Sequence, residues 1–411
     1  MTWNHKKSAT ASAATLALGL LLLGCTDSEQ GAEGKGEGKS TSSSKPHGYI
    51  AGAQEAAEQQ SRLVLGDSAS GTTQALDLIQ EKTKPLGRMP KGARLLTDGR
   101  FAYAASGGGA KVFDSGAWMV DHGDHVHYYR AKMREVGTVR GKKPEHVHSS
   151  PSLTALTFAD GKTRLLDHAQ LEKGLIKTTA TLDRAAAGPV VPLKDEALVP
   201  AAGPGGKTVV EVRDRHGRKK TTLPEKCPDL RGAAVTRTGA VFGCADGALF
   251  VSEKKGRPHG EKIPFGRKVP DKERPASFQH RSLGSTLTAK AGKRGVWVLD
   301  VPHREWKLVE TGPVTAVNSA GEGTPLLTLD GSGTLTSYET SSGKRIAGKK
   351  LLSRKSVGNA PQPVIEVDAN RAYVNDASAK KIYEIDYNDD LRKARSFSQD
   401  SVPSVMVETG R

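Results

Sequence analysis

The chain has 411 residues, with 61 Lys plus Arg against 45 Asp plus Glu, for a net charge of +16. A charge of that size suits an anionic surface, but no aromatic residues interleave with the basic clusters Arg218-Lys219-Lys220, Lys254-Lys255, Lys349-Lys350 and Arg392-Lys393. That disfavours a nucleic-acid interface, which sets stacking rings among its cations, and leaves a solvated basic face near anionic lipid or wall polymer.

His5, Lys6 and Lys7 open a basic leader, Ala13 to Leu23 is apolar or small, and Leu22-Leu23-Gly24-Cys25 closes it. Eleven such residues cannot span a bilayer, which needs roughly 20. Residues 1–24 therefore read as a signal peptide resembling a lipoprotein leader, with Cys25 as the lipidated first residue. Ordinary secretion with cleavage nearby is the alternative, and either way the body is exported. Loss of Lys6 and Lys7 with the leader leaves +14. Residues 25–60 are expected to form a flexible linker, because Thr26 to Gly48 is rich in Gly, Ser, Lys and Glu and lacks a large apolar residue. Such a stretch buries too little surface to offset its chain entropy.

From residue 61 to 411 the pattern is that of strands. Apolar runs recur before tight turns: Arg62 to Leu65, Phe101 to Tyr103, Leu153 to Phe158, Ala197 to Val199, Ala240 to Phe242, Thr286-Leu287, Leu326-Leu327 and Ala372 to Val374. Measured at the Gly or Asp of each turn, the separations are 40, 53, 43, 43, 46, 38 and 46 residues. A unit of about 44 residues with an Asp-Gly hairpin predicts an all-β chain folded as a β-propeller of four-stranded blades. Eight anchors predict eight blades; seven is the alternative, with Arg62 to Leu78 pairing with Val402 to Val407 to close the ring. A sandwich or two separate β domains would space the runs less evenly.

Besides Cys25, the chain has only Cys227 and Cys244. An even pair in an exported body predicts one disulfide.

The longest interval, 53 residues, contains five of the twelve histidines: His122, His125, His127, His146 and His148, with Asp121, Asp124 and Glu145 among them. Imidazoles and carboxylates at this density are a donor set for zinc or a related metal. Extra length in one repeat normally maps to a loop on one face. If extended, His125-Val126-His127 and His146-Val147-His148 each put both rings on one side, and the two pairs could face each other. Alternatively, a turn at Gly123 folds His122 or Asp121 back onto His125 and His127. His280 and His303 stand isolated.

The run Trp118-Met-Val-Asp-His-Gly-Asp-His-Val-His-Tyr-Tyr129, the segment Pro144-Glu-His-Val147, and Cys227-Pro-Asp-Leu-Arg-Gly232 with Phe242-Gly-Cys-Ala-Asp-Gly247 resemble those of the AztD zinc metallochaperones. The resemblance implies an exported β-propeller that hands Zn2+ to the solute-binding protein of a zinc ABC importer. It also implies that His122, Asp124, His125 and His127 supply ligands, that His146 is a further candidate, and that Cys227 and Cys244 are bonded. The body is then expected to be a monomer, lipid-anchored at the outer face of the cytoplasmic membrane, with no catalytic residues. A metal-free interaction scaffold and a propeller enzyme are the competing functions. Against the enzyme stand the absence of an HExxH run or nucleophile motif and the presence of only four tryptophans, Trp3, Trp118, Trp297 and Trp306.

Overall fold

All eight apolar runs become strands, and each run belongs to a different antiparallel sheet. Seven of them are the second strand of a four-stranded sheet. The eighth, Thr286–Ala291, begins a three-stranded sheet and meets Gln279 through an isolated bridge on its other edge. The turn after the run therefore joins second to third strand in seven sheets, and first to second in the eighth. At two of these turns the glycine is required by backbone approach. Gly247 and Gly295 have φ of +146° and +159°, and a Cβ on either would lie 2.1 Å from a carbonyl of the sheet's next strand, Ile263 or Val309.

The computed structural model describes residues 50, 52–183 and 188–411, which lie in one unit running from His47 to Arg411. Within it the first strands of successive sheets lie side by side. Arg94–Thr97 touches Pro144–Ser149, which touches Val191–Leu193, which touches Arg231–Thr236. Thr236 bridges Leu283, and the contacts resume from Thr286–Ala291 through Val314–Ser319 and Ile365–Val367 to Val405–Thr409, which reaches Arg94–Thr97. This closed circuit is the expected β-propeller. Closure is made by antiparallel pairing of Arg62–Gly66 with Val405–Thr409, in register from Arg62 opposite Thr409 to Gly66 opposite Val405. The pairing foreseen between the two ends is thus present, as one edge of a sheet completed by Thr72–Asp77 and Lys82–Arg88.

Alternation along these strands buries aliphatic side chains between neighbouring sheets. One interlayer also holds Trp297, Trp306, Phe265 and Phe278, with Phe265 centred 5.0 Å from Trp297 and 4.7 Å from Trp306. Both indole N–H groups donate to backbone carbonyls, of Glu273 and Ile263. These tryptophans are packing elements. The basic cluster Arg218-Lys219-Lys220 is likewise committed, ion-paired to Asp214, Glu211 and Glu196.

The leader, Cys25 and the linker up to residue 49 lie outside the described residues. At the linker's far end the expectation is corrected: within 25–60, Gln54–Ala56 is a strand, because its backbone finds a partner in Val126–Arg130. Among the described residues no helix is long and apolar enough to cross a membrane.

Cys227 and Cys244 are bonded, as expected, and both are buried. The bond ties the end of Lys219–Lys226, the outer strand of one sheet, to Gly239–Cys244 of the next. It closes a 17-residue separation, which the chain-entropy account values at about 3 kcal/mol. Replacing both cysteines by serine is expected to lower the denaturant-unfolding free energy by roughly that amount; an unchanged midpoint and slope would show that the bond restrains nothing.

Near the first strands Arg411 is buried with Glu366 and Glu408, its guanidinium 2.9 Å and 3.1 Å from their carboxyl oxygens. Burial outweighs the nearby charge and pushes the Glu408 carboxyl up to about 8. A raised acid contributes stability that is complete below its unfolded value and is lost as pH rises through its folded value. The melting temperature of the native protein should therefore fall, relative to Glu408→Gln, between about pH 4.5 and pH 8. Parallel melting curves over that range would show that Glu408 is not held protonated.

Candidate metal site on an inserted hairpin

The 53-residue interval is long because a hairpin is inserted in it. After Gly109–Asp114, the third strand of the second sheet, the chain leaves as Ala117–Asp121, turns, and returns as Val126–Arg130 before Arg134–Arg140 resumes the sheet. Trp118 pairs across from Tyr129 and Val120 from His127. Gln54–Ala56 adds a third strand on the far edge, with Glu55 opposite Tyr129. At the base, Trp118 stacks on Tyr129 at 5.3 Å, and the Arg100 guanidinium lies 3.7 Å above the indole. Arg100 is buried and bound to Asp114 and Glu172, so the hairpin is rooted in the second sheet by a cation–π contact whose cation cannot wander.

The tip is a tight turn. Asp121 Oδ1 accepts from the Gly123 N–H at 2.8 Å, the His122 N–H donates to the His125 carbonyl at 2.9 Å, and Gly123 takes φ +97°, which a side chain would disfavour. This turn carries His122 back over the strand that bears His127. His122, His125 and His127 each offer a ring nitrogen, and those atoms lie within 4.8 Å of one another. His125 Nε2 and His127 Nε2 are 3.1 Å apart. A tetrahedral zinc with Zn–N of about 2.0–2.1 Å sets its donors about 3.3 Å apart, so this pair needs almost no movement to share an ion.

Carboxylates orient two of the rings. Glu55 Oε1 lies 2.6 Å from His127 Nδ1, and Asp124 Oδ1 lies 2.8 Å from His125 Nδ1. A proton held at Nδ1 by each carboxylate leaves both Nε2 lone pairs for a metal, the outer-shell arrangement typical of metal-binding histidines. The bond to His125 holds the exposed Asp124 carboxyl below its ordinary range.

Of the six expected donors, the structure brings His122, His125 and His127 together, with Asp124 beside them. The turn at Gly123 is the arrangement adopted, and it recruits His122. Asp121 instead binds Arg237 and the Gly123 N–H. His146 and His148 do share one side, with parallel rings 6.4 Å apart, but they do not face the first pair. They lie on Pro144–Ser149, the first strand of the third sheet. Burial, then the neighbouring His146 and His280, pushes His148 down to about 3; burial pushes His280 down to about 4 against the pull of the Arg281 carbonyl. His280, isolated in sequence, thus lies near enough to His148 to act on its charge. Sequence reasoning missed Glu55, Arg237 and this encounter, since each depends on contacts across distant repeats.

No family model matches the chain. Among curated proteins it is similar to the zinc chaperone AztD of Citrobacter koseri, 24% identical over 343 residues that cover 79% of this chain and 78% of that protein. The crystal structure of Citrobacter koseri AztD aligns with a TM-score of 0.72 at 20% identity, covering 86% of this chain and 98% of that one. The apo form of the same protein aligns at 0.70 and 18%, over the same shares. The chain resembles AztD in sequence and in fold. The likeness is to a protein named as a chaperone, not as an enzyme.

Glu55→Gln keeps the side-chain shape but weakens its hold on His127. It is expected to weaken divalent-metal binding by roughly 10–100-fold, the usual effect of removing such a carboxylate, with the melting temperature unchanged. Wild-type affinity in a competition titration would show that Glu55 does not orient the ring.

Proposed function

We propose that this protein is an exported zinc chaperone, anchored by a lipid on Cys25 to the outer face of the cytoplasmic membrane, that delivers Zn2+ to the solute-binding protein of a zinc ABC importer. The observation that carries this reading is the convergence of His122, His125 and His127 on the tip of an inserted hairpin. Neutral imidazoles with exchangeable positions bind zinc well, and a hairpin tip lets an incoming ligand displace them one at a time. A closed thiolate cage would retain the ion, and here the two body cysteines are already bonded. The similarity to AztD, and the leader motif ending at Cys25, support the cargo and the location.

The triad supplies nitrogen ligands, and Glu55 and Asp124 set the ring orientation of His127 and His125. Protons compete for the same nitrogens, so affinity weakens in acid. The full chain should bind about one equivalent of zinc, and His125→Ala/His127→Ala together should abolish that binding while leaving the melting temperature intact. Zinc-loaded protein mixed with the apo solute-binding protein should transfer faster than it loses zinc to a chelator of matched affinity. Transfer no faster than spontaneous dissociation would make the protein a zinc store.

A further inference from the structure

Among the described residues, two contacts from outside the hairpin reach its tip. Glu55 is one, and Arg237 is the other. Arg237 sits 116 residues beyond Asp121, just past the strand Arg231–Thr236, and its Nη2 donates to Asp121 Oδ1 at 2.8 Å and to the Gly123 carbonyl at 2.9 Å. These two acceptors flank His122. A single guanidinium nitrogen therefore contacts the residues on either side of His122.

The support beneath Arg237 is firm. Its N–H donates to the Leu283 carbonyl, and Thr236 bridges Leu283 in the inner circuit. The Asp121 side chain is 15% exposed and that of Arg237 53%, so the ion pair sits at the rim, where an exposed pair adds little to global stability. Its effect is local. It neutralises Asp121, the carboxylate preceding His122 in sequence, and spends that carboxylate on the turn, so that it does not contend with His122 for the ion.

Resting on the reading of the triad as a zinc site, we propose that Arg237 is a positioning residue that latches His122 into the metal triad through Asp121 and the Gly123 carbonyl. Without the latch, His122 is held less firmly as a ligand than His125 and His127, whose rings the Asp124 and Glu55 carboxylates orient.

A double-mutant cycle on the full chain tests this. In zinc competition titrations Arg237→Ala should bind about tenfold more weakly, a loss of the size outer-shell partners produce. His122→Ala should lose a similar amount. The double variant should be no weaker than His122→Ala alone, because both changes remove the same ligand. Loaded with Co2+, Arg237→Ala should show the visible spectrum of His122→Ala, not that of the wild type, a change that a merely structural role would not produce. Asp121→Asn, which breaks the ion pair from its other side, should reproduce the Arg237→Ala affinity. Wild-type affinity in Arg237→Ala, or losses that multiply in the double variant, would overturn the proposal. Failure of His125→Ala/His127→Ala to lose zinc would instead overturn the zinc-site reading beneath it.

Discussion

The pairing of Arg62–Gly66 with Val405–Thr409 is the constraint on which the other features depend. The first sheet of the ring has its innermost strand only because the other end of the chain supplies it. Here that strand comes from more than 300 residues away, so its closure entropy is recovered only when the intervening sheets are in place. Closure sets two positions at once. It carries Arg411 to the buried pair Glu366 and Glu408, and it fixes the chain entering at Ser61, so that Gln54–Ala56 can run back along the inserted hairpin and bring Glu55 to His127.

The candidate metal site is built on the opposite principle. The hairpin stands outside the circuit of first strands and forms its own three-stranded sheet, and among the described residues Arg100 holds Trp118 at the base, Glu55 the returning strand and Arg237 the tip. Regions with few buried apolar contacts open at lower free energy than the cores they are attached to. Separating the two lets the hairpin open while the propeller stays closed.

The repeat was legible in the sequence because its signal is local. A strand such as Leu153–Phe158 followed by Asp160-Gly161 declares itself within ten residues, and the same turn recurs between second and third strands around the ring. The inserted hairpin was legible as surplus length, and His122, His125 and His127 as a cluster. The facing of the two histidine pairs was not. Alternation correctly placed His146 beside His148, but it could not say that their strand is the innermost of the next sheet while the triad rides on an insertion in the previous one. Glu55 and Arg237 carry no local signal at all. The first lies on a three-residue strand at the end of a polar stretch, and the second is one arginine among many; only long-range pairing gives either a role.

The charge of the body is read differently once the ion pairs are seen. Arg218, Lys219, Lys220 and Arg392 look like basic patches in sequence, yet each has a carboxylate partner within its own sheet or the adjoining turn. The positive charge is therefore spread over the surface, and its effect on an acidic partner is a long-range one that falls off within about a Debye length of 8–10 Å. Such a field can bring a partner up to the protein but cannot aim it at the hairpin. Recognition at the site must come from what the hairpin itself presents: three imidazoles, the exposed Asp124 carboxylate, and the half-exposed guanidinium of Arg237. A receiving protein that contacts that guanidinium would touch the contact holding His122 and the ion's own ligands in the same encounter, so docking and release would begin at one place on the surface.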